Sequence, residues 1–202
     1  MFYDPRTDPH GLAHNPWTAL IVPRPIGWIS TLSADGTPNL APYSFFNAVS
    51  GAPPFVMFSS AGRKDSQTNI EATGEFVVNM AVADLADAMN LSSAAVGAGV
   101  DEFAFAGLEK APCRNVRAPR VAASPVALEC VLNSIVPLIT RDGTKARSEV
   151  IFGEVVGIHI ADAVIADGML DITRLRPLSR LGYMDYAITD TVFAIPRPEV
   201  KG

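Results

Sequence analysis

The Asp-Gly pairs Asp35-Gly36 and Asp142-Gly143 each sit in a short polar turn between runs of β-branched and aromatic residues. Turns of this kind close hairpins, because Gly, and to a lesser degree Asp, tolerates the positive φ that suits the right-handed twist of the flanking strands. The first joins a strand over 26–32 to a return limb over 39–47, in which Pro42 marks an edge or a bulge. The second joins a strand over 126–136 to a long one over 149–160, whose Gly153 and Gly157 predict bulges. Phe55–Phe58 and Glu75–Val82 supply further apolar runs. The βαβα alternation of a doubly wound sheet is missing, and so is any G-x-G-x-x-G. The order therefore predicts a mainly β chain, an antiparallel barrel of six or seven strands with two or three helical additions.

Helices are expected in two places. One covers 66–73, begins at Asp65 or Ser66 as its cap, and stops at Gly74. The other covers 84–95, with Asp84 as cap and Leu85, Ala88 and Met89 on one face. Residues 96–124 read as a long, lid-like excursion with a small helix within 101–108, where Asp101, Glu102 and Phe103 either shape access to a site or form ordinary surface. The division expected is an N-terminal arm over 1–20, with one helical turn near 16–19, a domain over 21–187 and a tail over 188–202.

Composition removes several classes of function. Hydrophobic residues make up 49% of 202, ample for a sizeable core. A net charge of −5 leaves no basic footprint for nucleic acid. No apolar run approaches the ~20 residues of a membrane helix, and the N-terminus does not read as a signal peptide. Two cysteines without CxxC spacing imply no disulfide framework. A cytoplasmic protein with no membrane partner is the expectation.

Ordinary catalytic groups are scarce. There is no G-x-S-x-G elbow, no H-E-x-x-H and no P-loop. Of the three histidines, His10 and His14 lie four apart in the arm, but Gly11, Pro9 and Pro16 argue against the helix a metal pair would need there, so no metal site is expected. His159 sits in a strand with no evident local partner, which argues against a hydrolytic triad. Cys113 and Cys130 read as small hydrophobes. The segment from Phe58 to Ile70 stands apart: a buried strand runs into hydroxyls, a glycine and two cations just ahead of a helix start. Outward N–H groups, the helix dipole and the charges of Arg63 and Lys64 suit a phosphate. A phosphate cradle with few acid–base groups fits a cofactor that brings its own chemistry.

A series of motifs in order then carries a resemblance. Arg24-Pro25-Ile26-Gly27-Trp28-Ile29-Ser30-Thr31 is followed by Ala41–Asn47 with Pro53-Pro54-Phe55-Val56, by Arg63-Lys64-Asp65-Ser66 with Asn69-Ile70, and by Glu75–Asn79. Phe103 with Ala106-Gly107-Leu108, Ser124-Pro125-Val126 with Leu128-Glu129-Cys130, and Gly153–Val156 complete the set. Over residues 22–186 the chain resembles the flavin reductase-like, FMN-binding split-barrel family, in the branch holding flavoredoxin-like proteins and reductase components of two-component monooxygenases.

The resemblance implies a split barrel, a homodimer with FMN (or FAD) near the subunit interface, NAD(P)H as electron donor, and a monooxygenase or other electron-transfer partner. It implies an NAD(P)H-dependent flavin reductase or, alternatively, an FMN electron carrier reduced by a protein partner. Ser59, Ser60, Gly62, Arg63, Lys64 and Ser66 would surround the phosphate, Asp65 is a further cofactor-binding candidate, and Ser44, Phe45, Phe46 and Asn47 would run beside the isoalloxazine ring. For the two phenylalanines the competing reading is core packing by at least one, since strand alternation sends them to opposite faces. Asn69 either reaches back to the ligand or decorates its helix. Thr31 and Arg180 are further cofactor candidates, Arg180 either adding charge to the phosphate or pairing with an acid. His159 is a candidate for the nicotinamide side, against the reading of a partly buried structural histidine.

Overall fold

The Asp35-Gly36 turn closes its hairpin, with Ser33 N–H donating to the Thr37 carbonyl at 2.9 Å and Gly36 at φ 92°. The computed structural model describes residues 1–97 and 99–199. Its first half runs α1 (Trp17–Leu20), β1 (Arg24–Pro25), β2 (Gly27–Leu32), β3 (Pro38–Tyr43), β4 (Phe46–Gly51), β5 (Pro54–Ala61), α2 (Asp65–Thr73), β6 (Glu75–Met80) and α3 (Ala86–Leu91). There follow α4 (Glu102–Phe105), β7 (Lys110–Ala111), β8 (Arg120–Val121), β9 (Val126–Ile139) and β10 (Lys145–Ile160). The chain closes with β11 (Ile165–Ala166), β12 (Met169–Leu170), α5 (Ile172–Leu175), β13 (Leu178–Arg180) and β14 (Tyr186–Ile188).

The main sheet has seven strands in the order β3-β2-β6-β9-β10-β5-β4, and every neighbouring pair is antiparallel. Its two edges, β3 and β4, are consecutive in the chain, and no ladder joins them. The barrel is therefore split along that seam, as the resemblance implied. A small sheet, β1-β13-β14, brings the C-terminal part back against the start of the domain. β10 slips register at Phe152/Gly153 and Val155/Gly157, the two expected bulges. Gly153 has a packing reason as well: a Cβ there would collide with the Phe76 ring.

The barrel interior is filled by Ile29, Val56, Phe58, Ile70, Phe76, Val78, Cys130 and Ile151. Phe58 packs edge-on to Phe76 with centroids 5.7 Å apart, and Tyr43 lies 4.7 Å from Phe58. A second core of Trp28, Leu40, Met89, Phe103, Val121 and Leu178 covers the other side of the β2–β3 hairpin. β2 is thus buried on both faces, and its polar Ser30 and Thr31 are hydrogen-bonded there, to the Pro119 carbonyl and to Asn69.

Two helix readings change. The helix expected over 84–95 is a 3₁₀ turn, Ala83–Leu85, followed by the short α3. Asp84 does not cap it; its exposed carboxylate pairs with Arg176 at 3.0 Å. Helix α2 begins at Asp65, one of the two starts expected, but Lys64 and not Asp65 or Ser66 holds its cap position, and no side chain caps it. It ends as expected at Gly74, φ 74°, whose N–H donates to the Ile70 carbonyl.

Candidate functional site

Because β3 pairs on one side only, its other edge borders a cleft of about 470 Å³. Asn39, Ala41, Pro42 and Tyr43 form one wall, and Lys64, Asp65 and Ser66 at the start of α2 another. Residues 92–96 and Glu102 complete it. Ser92 is held there because its hydroxyl accepts from Trp28 Nε1 at 2.9 Å and donates to the Met89 carbonyl.

A buried polar network fixes these walls to one another. Glu102 accepts from Asn39 Nδ2 at 3.0 Å and from Leu40 N–H at 3.0 Å. Ser66 Oγ donates to Asn39 Oδ1 at 2.8 Å, and Asn69 Nδ2 donates to Thr31 Oγ1 at 3.0 Å. Burial pushes the Glu102 carboxyl above its ordinary value, with the Leu40 N–H opposing the rise. Burial likewise raises the Tyr43 phenol, with Ser66 and Ser60 opposing the rise. Lys64, with its ammonium 5.9 Å from the Tyr43 ring, forms no ion pair among the described residues.

Several expected residues meet here and others do not. Lys64, Asp65 and Ser66 line the cleft, while Asn69 lines a smaller pocket that shares Asn39 and Asp65 with it. Thr31 is fully buried behind that wall and acts through Asn69. Arg63 turns away and pairs with Glu71. Ser60 is buried, its hydroxyl donating to the Gly62 carbonyl at 2.8 Å, and Ser59 N–H donates to the Phe45 carbonyl. Gly62, at φ 82°, faces Arg147. Asn47 is exposed on β4, its Oδ1 accepting from the next N–H. Phe46 packs on Gly27 and the barrel core, whereas Phe45 is 43% exposed beneath Arg24. Asn39 was not singled out from the sequence; its only signal was its place on the limb after the Asp-Gly turn.

Ser44 and Arg180 line a second cleft of about 460 Å³, which meets the first at Pro42 and Ser93. Arg180 pairs with no acid among the described residues; it donates to Tyr183 O and Tyr186 Oη.

His159 lies in another depression altogether, with Arg114, Asn115 and Glu129. Its Nε2 is 2.5 Å from Glu129 Oε1, and the fully buried Glu129 also accepts from Arg114 N–H at 2.8 Å and Asn115 N–H at 2.5 Å. Burial would raise Glu129, but those N–H groups and His159 outweigh it and hold the carboxylate below its ordinary value. Cys113 joins the group, the three ligand-type atoms lying within 4.8 Å of one another. Burial, reinforced by Glu129, pushes its thiol up to about 12. This cluster ties the 113–115 segment to the sheet.

A family model described as a flavin reductase like domain matches residues 19–179. The chain belongs to the flavin reductase-like family. An uncharacterized protein of Aquifex aeolicus (strain VF5) is 38% identical over 169 residues, 81% of this chain and 83% of that one. Among solved structures, nitrilotriacetate monooxygenase component B from Bacillus cereus is 29% identical with a TM-score of 0.88, over 96% of this chain and 98% of that one. The 2-nitrobenzoate 2-nitroreductase NbaA of Pseudomonas fluorescens is also 29% identical, with a TM-score of 0.80 over 90% and 88% of the two chains. Within this flavin reductase-like domain the Lys64 cleft lies along the free edge of the split barrel.

Proposed function

We propose that the protein is an FMN-binding oxidoreductase that takes electrons from NADH or NADPH, acting as a flavin reductase. The observation that carries this reading is the cleft between the free edge of β3 and the uncapped start of α2. The first-turn N–H groups of a nine-residue helix have no side-chain cap, and Lys64 beside them forms no ion pair among the described residues. That donor set fits a phosphate monoester. Bound FMN would supply the hydride-accepting ring that the chain's own side chains cannot replace.

The protein's contribution is position and charge. Lys64, Ser66 and the α2 N–H groups hold the phosphate end, and the segment Ser44-Phe45 borders the ring. The Asn39–Glu102 network keeps the wall fixed, so little reorganisation accompanies binding. Family membership supports a flavin, and the likeness to a monooxygenase component B supports delivery of reduced flavin to a partner enzyme. The exposed Val136, Leu138, Val156 and Ile158 on β9 and β10 support a homodimer.

The test is anaerobic mixing of the FMN-loaded protein with NADH and, separately, NADPH, following flavin absorbance. Rapid bleaching with one nucleotide is the expected result and names the donor. Bleaching by dithionite alone would overturn the reductase reading in favour of an electron carrier.

A further inference from the structure

Arg24 and Arg180 face each other directly across the β1–β13 ladder. Like charges in that relation destabilise a sheet. Arg24 is also 6% exposed, where a guanidinium ordinarily has an acid beside it. Among the described residues it donates only to main-chain carbonyls, those of Thr18, Ile21 (2.8 Å) and Leu181 (2.8 Å), and its buried Nε has no partner there. Arg180 stacks on Tyr186, 4.5 Å from the ring centroid. Burial and the charge of Arg180 both disfavour the Arg24 cation. Among the described residues no carboxylate lines the cleft that holds the pair, in a chain whose net charge is −5.

An anion between the two guanidiniums would relieve the repulsion. Tyr183 beside them is exposed and offers a ring for stacking, and the cleft shares Pro42 and Ser93 with the Lys64 cleft. We propose that the Arg24–Arg180 cleft is an anion subsite for the second substrate, binding an oxyanion carried on a planar ring next to the flavin. The inference rests on the flavin reading above. The oxyanion is a phosphate if the ligand is the nicotinamide donor, and a carboxylate if it is an aromatic acceptor.

The experiment is calorimetric titration of the FMN-loaded protein with nicotinamide mononucleotide and, separately, benzoate. It compares wild type, Arg180→Gln and Lys64→Ala, with circular dichroism as the check on folding. Arg180 is the residue to change because Arg24 also holds three carbonyls together. In Arg180→Gln the Kd of one probe should rise about ten- to a hundredfold, the worth of one charge-assisted hydrogen bond. FMN affinity should stay within about threefold, a change of well under one charge-assisted bond. Loss of the mononucleotide assigns the phosphate source, and loss of benzoate the carboxylate source. Unchanged affinity for both probes would overturn the subsite. So would a loss of FMN affinity as large as in Lys64→Ala, which would place Arg180 at the flavin phosphate instead. A parallel titration of flavin-free protein with inorganic pyrophosphate separates the two failures. If Arg180-dependent pyrophosphate binding persists while FMN does not bind, only the flavin reading fails.

Discussion

Lys64→Ala and Arg63→Ala should behave differently, although the two cations are neighbours in sequence. Lys64 lines the cleft and has no carboxylate partner, so its ammonium is free for a ligand phosphate. Removing one charge-assisted contact costs about 1.5–3 kcal/mol, equivalent to a Kd about ten to a hundred times weaker. Arg63 has a side chain 63% exposed and is committed to Glu71. An exposed ion pair of that kind is worth about 0–1 kcal/mol to stability and nothing to the cleft. Arg63→Ala should therefore leave FMN affinity within about threefold of wild type. The assay is quenching of flavin fluorescence on titration of apo-protein, at low and at moderate salt. The Lys64 contribution should shrink as salt rises. If Arg63→Ala weakens FMN as much as Lys64→Ala, the phosphate lies on the outer side of the loop and the assignment of the cleft is wrong.

Glu129→Ala would strand the N–H groups of Arg114 and Asn115, at a cost of about 2–4 kcal/mol in chemical denaturation. Because the folded-state pKa of Glu129 is lowered, its stabilising contribution is complete above the ordinary value of 4.5 and is lost as pH falls through the folded value. The variant should accordingly show a shallower loss of stability in acid than wild type; equal slopes would contradict the pairing. Gly153→Ala should overpack the Phe76 ring and destabilise by about 1–3 kcal/mol while FMN binding by the folded fraction is retained. A thermal midpoint equal to wild type would refute that packing argument.

Features that depend on local backbone geometry were legible in the sequence. The Asp-Gly hairpin, the Gly74 helix stop and the two glycine bulges each follow from what one residue permits at one place. The helix over 84–95 was overextended because its end is set from outside. Ser92 turns to accept from Trp28, 64 residues away in sequence, and no local signal announces that bond. In the phosphate stretch the residue types did not show which way each side chain turns. The turn at Gly62 leaves Arg63 beside Glu71 and delivers Lys64 and Ser66 to the cleft. The facing of Arg24 by Arg180 depends on a ladder between chain segments more than 150 residues apart. The partner of His159 was equally hidden, since the bulge at Gly157 resets the register that brings it to Glu129.

The most direct test of the central claim is a crystal structure of the protein with FMN bound. The account predicts the phosphate within hydrogen-bond reach of Lys64 and the first turn of α2, with the ring running along the free edge of β3 toward Ser44. FMN seated instead in the His159 depression, or held without any contact to Lys64 or α2, would contradict it.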